Sequence, residues 1–133
     1  MTARPAAAAI GPRAKLFLSS AECEGVFGGG KALLLETIEE TGSLQEAARR
    51  LGRSYRKAWG DIKRAEEGLG RPLVEKTRGG RDGGTTRLTL YARELLEAWE
   101  RYRAEVLGQV DRLYDRHLRR LIDQADTTER SSR

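Results

Sequence analysis

Residues 42–72 decide the fold, and they read GSLQEAARRLGRSYRKAWGDIKRAEEGLGRP. Ser43 and Glu46 form a capping box, in which a hydroxyl and a carboxylate satisfy otherwise unpaired amides at the start of a helix. Ser54 caps another helix, which ends at a glycine and a proline some fifteen residues later. Two helices joined by a tight turn at residues 52–53 predict a helix-turn-helix.

Two shorter segments precede this motif. The runs Lys15–Leu18 and Glu24–Phe27 predict a small strand hairpin. Three glycines then lead into a helix over Ala32–Thr41, with Lys31 exposed before it. The apolar face of this helix is predicted to consist of Leu33, Leu34, Leu35 and Ile38.

A second hairpin follows the motif. Leu73–Glu75 and Thr85–Leu90 are strand-type runs on either side of a glycine-rich loop, and such a pair predicts a wing. The expected fold class is therefore mainly α with a small β-wing: a winged helix-turn-helix followed by a long C-terminal dimerisation helix.

The long helix starts near Thr89, and its apolar residues recur every seven positions in a partial heptad seam. We interpret it as a dimerisation helix, because so small a body cannot bury the stripe of a helix this long; the alternative is a helix folded back on its own domain. The predicted interface residues are Trp99, Tyr102, Val106, Val110 and Leu113. The predicted organisation is a disordered tail over residues 1–12, the winged helix-turn-helix over 13–90, the dimerisation helix over 91–123 and a second disordered tail over 124–133.

The positive charge of the chain is concentrated in one stretch. Residues 53–87 hold ten Lys/Arg and five Asp/Glu, whereas residues 1–52 hold six of each sign and residues 88–133 hold nine of each. A surface that binds a polyanion has reason to carry such an excess, because lysine and arginine gain affinity by releasing counterions from phosphates. Double-stranded DNA is the expected partner.

The helix after the tight turn has two distinct faces when residues are rotated by about 100° each. Its inward stripe is predicted to be Tyr55, Ala58, Ile62, Ala65 and Leu69, with Trp59 at the margin. The opposite face is cationic and fits a major groove, where the first turns of such a helix usually contact base edges. The residues assigned to bases are Ser54, Arg56, Lys57 and Gly60, and those assigned to phosphates are Lys63 and Arg64. The rest of the predicted DNA-binding set is Arg53, Arg78, Arg81 and Arg87.

Other kinds of site have little support in the sequence. Gly25–Ala32 is close to a nucleotide-binding P-loop, but alanine stands where magnesium binding needs Ser or Thr. One cysteine, Cys23, and one histidine, His117, favour neither a metal centre nor a disulfide. We therefore expect a protein that is not an enzyme, has no cofactor and no membrane span, and works in a reducing compartment.

Two further functions stay open on the residues alone. A sequence-tolerant protein that coats or bends DNA would use the same basic face, and a protein-interaction module could dock a partner through its winged helix. Preference for one DNA sequence over unrelated DNA separates a regulator from the first of these.

Five runs resemble the DNA-binding domain of ModE-type molybdate-responsive regulators, which share a winged helix-turn-helix with LysR-type regulators. The runs are ETGSLQEAA at residues 40–48, SYRKAW at 54–59, PLVEK at 72–76, GGRDGG at 79–84 and LT at 88–89. The resemblance implies a cytoplasmic, nucleoid-associated bacterial or archaeal transcription regulator linked to molybdate, tungstate or related metabolism. It implies dimers on a two-fold-related operator.

Full-length members of that family continue into domains that bind molybdate or tungstate, and residues 1–133 hold no such sequence. The expectation is a single-domain form that acts alone or with a separate effector-binding protein.

Overall fold

The computed structural model describes residues 9–77 and 84–124 of the 133-residue chain. Its elements are strand β1 (Phe17–Leu18), strand β2 (Phe27–Gly28), helix α1 (Gly29–Thr41), helix α2 (Leu44–Arg50), helix α3 (Tyr55–Leu69), strand β3 (Val74–Thr77), strand β4 (Thr85–Leu88) and helix α4 (Leu90–His117). The chain divides into two compact units, residues 16–101 and residues 1–15 with 102–133.

The unit of residues 16–101 has the expected winged helix-turn-helix fold. Strands β1 and β2 pair antiparallel, with Leu18 opposite Phe27. Strands β3 and β4 form the wing hairpin, also antiparallel, with Val74 opposite Leu88 and Thr77 opposite Thr85. Both predicted hairpins are thus confirmed, although β1 and β2 each contain two residues, fewer than predicted.

The core of this unit lies between α1, α2 and α3. Alanines make the contact between α2 and α3 close, because Ala47, Ala48 and Ala58 are all buried and have no bulk beyond Cβ. The largest fully buried side chains are Phe27, Leu34, Leu35, Ile38, Leu44, Ile62 and Leu73. Burying apolar surface of this kind is the main source of the fold's stability.

Helix α1 begins earlier than the sequence predicted. Its first residue is Gly29, three positions before Ala32, so two of the three glycines form the first helical turn. The third, Gly28, belongs to β2, where an added Cβ would lie 3.0 Å from Cβ of Phe17. Leu33, predicted on the apolar face, is 46% exposed, because the helix presents its neighbours to the core instead.

Helix α4 starts as predicted next to Thr89. The Thr89 hydroxyl accepts a hydrogen bond from the Ala92 amide at 3.1 Å and donates one to the Pro72 carbonyl at 2.9 Å. Within the same unit, Trp99 packs edge-on against Phe27, with ring centroids 5.3 Å apart. This helix is therefore tied to the core through its first three turns.

The second unit contains the rest of α4, and residues 119–124 are again helical after a turn at residue 118. Tyr114 is buried, and its hydroxyl donates to the carbonyl oxygen of Ile10 at 3.2 Å. The predicted tails fall largely on residues 1–8 and 125–133, which lie outside the described residues. Within the described ranges, no helix has the length and apolar character needed to cross a membrane.

Candidate nucleic-acid interface

The helix-turn-helix is capped as the sequence predicted. The Ser43 hydroxyl accepts from the Glu46 amide at 3.0 Å, and the Ser54 hydroxyl accepts from the Lys57 amide at 3.0 Å. Gly52 in the turn has φ of +67°, a conformation that favours glycine. These local bonds fix where α3 starts and therefore which of its side chains face outward.

The inward stripe of α3 is largely as predicted, with one wrong member. Ala58, Ile62 and Ala65 are buried, and Leu69 is half-buried against the core. Tyr55 is 45% exposed, because it lies on the first turn of α3 and contacts the wing instead of the core.

The cations predicted to contact DNA do not share one environment. The side chains of Arg56, Lys57, Lys63 and Arg64 are exposed on α3. Arg56 pairs with none of the described residues. Arg53, in contrast, keeps only 21% of its side chain exposed and donates to the Gly30 carbonyl at 3.3 Å. Its guanidinium thus also joins the turn to the start of α1.

A buried carboxylate beneath this face was not predicted. Asp61 is 8% exposed and lies between three cations among the described residues. Its carboxylate accepts a hydrogen bond from Arg64 at 2.7 Å and forms ion pairs with Lys57 at 3.6 Å and Arg53 at 3.8 Å. We call Asp61, Arg53, Lys57 and Arg64 the Asp61 cluster.

Lys31 lies close enough to this cluster to sense its charge. Its ammonium group donates to the Gly25 carbonyl at 2.5 Å and is partly buried, so the prediction of an exposed lysine was wrong. Burial lowers the pKa of Lys31, and the negative charge of Asp61 opposes that shift. The hydrogen bond to Gly25 thus holds the lysine partly out of solvent.

Strand β3 adds a cation that was not among the predicted site residues. The ammonium group of Lys76 donates to the Tyr55 hydroxyl at 2.6 Å and lies 4.4 Å from the centroid of the Trp59 ring. Lys63 lies 4.5 Å from the centroid of the same ring and pairs with Glu66 at 3.4 Å. The aromatic side chains of α3 thus join its basic face to the wing.

The wing is held against the helices by polar contacts at its base. A carboxylate oxygen of Glu66 accepts from the amides of Leu73 at 2.7 Å and Val74 at 3.4 Å. On the other strand, the Thr86 amide donates to the Gly42 carbonyl at 2.9 Å. Predicted wing residue Arg87 is exposed on β4 opposite Glu75. Arg78 and Arg81 lie outside the described residues.

Gly60 lies at the middle of the exposed face of α3. A Cβ added there would meet only the Arg64 guanidinium, at 3.8 Å. Packing does not require a glycine here, because an added Cβ has room. The backbone does not require one either, since φ of Gly60 is not positive. The space above Gly60 is open, and its contact with a base stays a prediction.

The predicted dimer residues have different degrees of burial. Trp99 is 5% exposed within its own unit. In the other unit, Tyr102 and Leu113 are exposed, and Val106 and Val110 are partly buried. Among the described residues, no group of three or more His, Cys, Asp or Glu could hold a metal ion.

Part of the chain matches a known protein family. Residues 31–93 match the family described as bacterial regulatory helix-turn-helix protein, lysR family. The chain is 39% identical over 83 residues to the molybdenum transport protein ModE of Azotobacter vinelandii, covering 62% of this chain and 31% of that protein. It is 39% identical over 67 residues to the transcriptional regulator ModE of Haemophilus influenzae, covering 50% and 26%.

The chain spans less than a third of the length of these curated relatives. Among solved structures, it is similar to BenM_DBD in complex with benA site 1 DNA, with 20% identity, a TM-score of 0.48, and coverage of 68% of this chain and 96% of that one.

Proposed function

We propose that this chain is a transcriptional regulator that binds duplex DNA through α3 and the wing. The match of residues 31–93 to the family described as bacterial regulatory helix-turn-helix protein, lysR family, supports the proposal. The exposed row of cations on α3, above a stripe buried in the core, carries the proposal. An α-helix of this kind fits the major groove of B-DNA.

In the proposed complex, the side chains divide between bases and phosphates. Arg56 and Lys57, in the first turn of α3, face base edges, where arginine and lysine recognise guanine. Lys63 and Arg64, two turns later, neutralise phosphates, as does Lys76 on β3. Affinity then comes mainly from counterion release and falls steeply with salt, whereas sequence choice comes from the start of the helix.

The regulated process is proposed from the relatives. Both are named ModE, one a molybdenum transport protein and one a transcriptional regulator, so we propose control of molybdate or tungstate metabolism in the cytoplasm of a bacterium or archaeon, on nucleoid DNA. In this proposal the chain acts alone or with a separate effector-binding protein, and it has no catalytic activity of its own.

A homodimer on a two-fold-related operator completes the proposal. The supporting residues are spaced along one side of the distal part of α4, at positions 102, 106, 110 and 113, which corresponds to one stripe of a helix. Exposed Tyr102 and Leu113 on that stripe give a second copy apolar surface to bury. The two protomers then place their α3 helices in two successive major grooves of the duplex.

Selection from a random duplex library tests the function. Purified protein is mixed with duplexes that contain a randomised central region, and bound DNA is sequenced over several rounds. We expect enrichment of a two-fold-symmetric sequence that competes about 10³-fold better than a scrambled duplex. Binding without enrichment indicates a sequence-tolerant DNA-coating protein. No binding at low salt overturns the proposal and favours a protein-interaction module.

A matched pair of variants shows which surface binds. The double variant Arg56→Ala with Lys57→Ala removes two cations from α3, and Arg112→Ala with Arg116→Ala removes two exposed cations from α4. Both lower the net charge by the same amount. The proposal requires the first variant to lose both affinity and the enriched sequence, while the second retains the sequence preference.

A further inference from the structure

We infer that Asp61 is a positioning residue, which orients Lys57 and Arg64 so that the chain distinguishes its DNA sequence from others. The inference rests on the proposed function and assigns a role to a residue that does not itself touch DNA. Asp61 lies beneath the exposed face of α3, with 11% of its side chain exposed.

Geometry supports this role because the two side chains converge on one carboxylate from opposite directions along the helix. Lys57 lies one turn before Asp61 and Arg64 one turn after it, and both pair with the same carboxylate oxygen. Their own side chains stay 62% and 56% exposed, so each charged group is held from below and open from above. Without the carboxylate, two like charges would repel each other and spread apart.

A carboxylate that served only the fold would need one cation to balance its charge, and this cluster holds three. Arg53 is the most buried of its cations and already donates to the Gly30 carbonyl while pairing with the other Asp61 oxygen. Arg53 thus gives the buried negative charge, which is costly when it has no partner, a partly buried counterion at 3.8 Å. Lys57 and Arg64 pair with the first oxygen, and this pairing restricts two long, exposed side chains that would otherwise lose more rotamer freedom on binding.

Removing the negative charge of Asp61 should affect general DNA affinity and sequence preference differently. A carboxylate near DNA phosphates repels them, so its removal favours binding to any sequence. If Asp61 positions Lys57 and Arg64, its removal also weakens the base-edge contact of Lys57, which depends on direction, and the phosphate contact of Arg64, which fixes the register of α3 on the duplex. On unrelated DNA, removal of the carboxylate only relieves repulsion, so binding should stay equal or become tighter. On the preferred duplex, relief of repulsion and loss of positioning act in opposite directions.

Asp61→Asn tests the inference on two probes: the duplex enriched with the wild-type protein, and a scrambled duplex of the same composition. We expect equal or tighter binding to the scrambled duplex, weaker binding to the enriched one, and a fall of about tenfold in the affinity ratio. Glu67→Gln is the matched control, because it removes the same charge from an exposed side chain of α3 that pairs with none of the described residues. The control should keep the wild-type ratio.

An unchanged ratio in folded Asp61→Asn overturns the inference. Asp61→Glu provides the second measurement, since it keeps the charge but displaces the carboxylate by one methylene. A lowered ratio in that variant supports positioning, a wild-type ratio refutes it, and it decides alone if Asp61→Asn fails to fold. Absence of any enriched duplex for the wild-type protein refutes the proposed function instead, so the two failures are distinct.

Discussion

Replacing Gly60 and Gly68 by alanine, one at a time, should give two variants of the same helix that differ clearly in stability. Both glycines lie inside α3, where glycine costs about 1 kcal/mol relative to alanine. At Gly60 the new methyl group would meet only an arginine side chain, at 3.8 Å. Gly60→Ala should therefore stabilise the fold by up to about 1 kcal/mol.

Gly68→Ala gains the same helix propensity but meets Val26. The new Cβ would lie 2.5 Å and 2.8 Å from the two methyl groups of this buried valine and 3.2 Å from its Cβ. Valine is stiff at χ1 and cannot rotate away freely. Overpacking of this kind costs about 1–3 kcal/mol. Since the propensity gain is common to both variants, Gly68→Ala should be less stable than Gly60→Ala by the same amount, about 1–3 kcal/mol.

Urea unfolding followed by circular dichroism measures this difference, with protein concentration held constant because a dimer's stability depends on it. The reasoning is refuted if Gly68→Ala is as stable as Gly60→Ala. DNA titration then gives the second half of the prediction. Gly60→Ala should weaken binding to the enriched duplex by about 1–3 kcal/mol in spite of its greater stability, because the methyl group fills the space left for DNA.

Three further predictions concern the interface, the two units and a partly buried lysine. Arg56→Ala should relax base preference at one position per half-site and cost about 1–3 kcal/mol, whereas Lys63→Ala should weaken all sequences alike; competition assays that show uniform losses for both contradict that division. Trp99→Ala should destabilise the protein by about 3–5 kcal/mol, since the ring is in the core, while Leu113→Glu should mainly shift sedimentation from dimer to monomer. If sedimentation of Leu113→Glu stays dimeric, the proposed stripe is not the interface. The pKa of Lys31 is lowered in the folded state. Between this folded-state pKa and 10.5, the unfolded chain therefore binds more protons than the folded chain, so the free energy of unfolding rises as pH rises through this window. Lys31→Met should lack this gain when both proteins are unfolded with urea at pH 8.5 and pH 10.5.

Local chemistry made the starts of α2 and α3 predictable. Ser43 and Ser54 each cap a helix through an amide three residues later, so the residues that carry the signal are adjacent in sequence. The wing was predictable for a related reason, because strand-type runs flank a glycine-rich loop. Both signals lie within a short stretch of sequence, so they do not depend on contacts between distant segments.

The rest of the interface depends on contacts between distant segments. Helical periodicity placed Tyr55 inside because it is aromatic, and it gave no place to Asp61 in the interior because that residue is charged. Tyr55 is exposed because it meets Lys76, 21 residues away, and Asp61 is buried because its partners include Arg53 from the preceding turn. The close packing of Gly68 on Val26 likewise spans 42 residues and leaves no local pattern.

The two tryptophans of the chain have very different surroundings, and this gives the protein two built-in optical probes. The indole of Trp59 lies half-buried between Lys63 and Lys76 on the basic surface, whereas that of Trp99 is enclosed beside Phe27. A dissolved quencher such as iodide reaches the first indole more readily than the second. Fluorescence of the unlabelled protein can therefore follow events at the basic surface through one emitter, while the other reports whether the core stays intact.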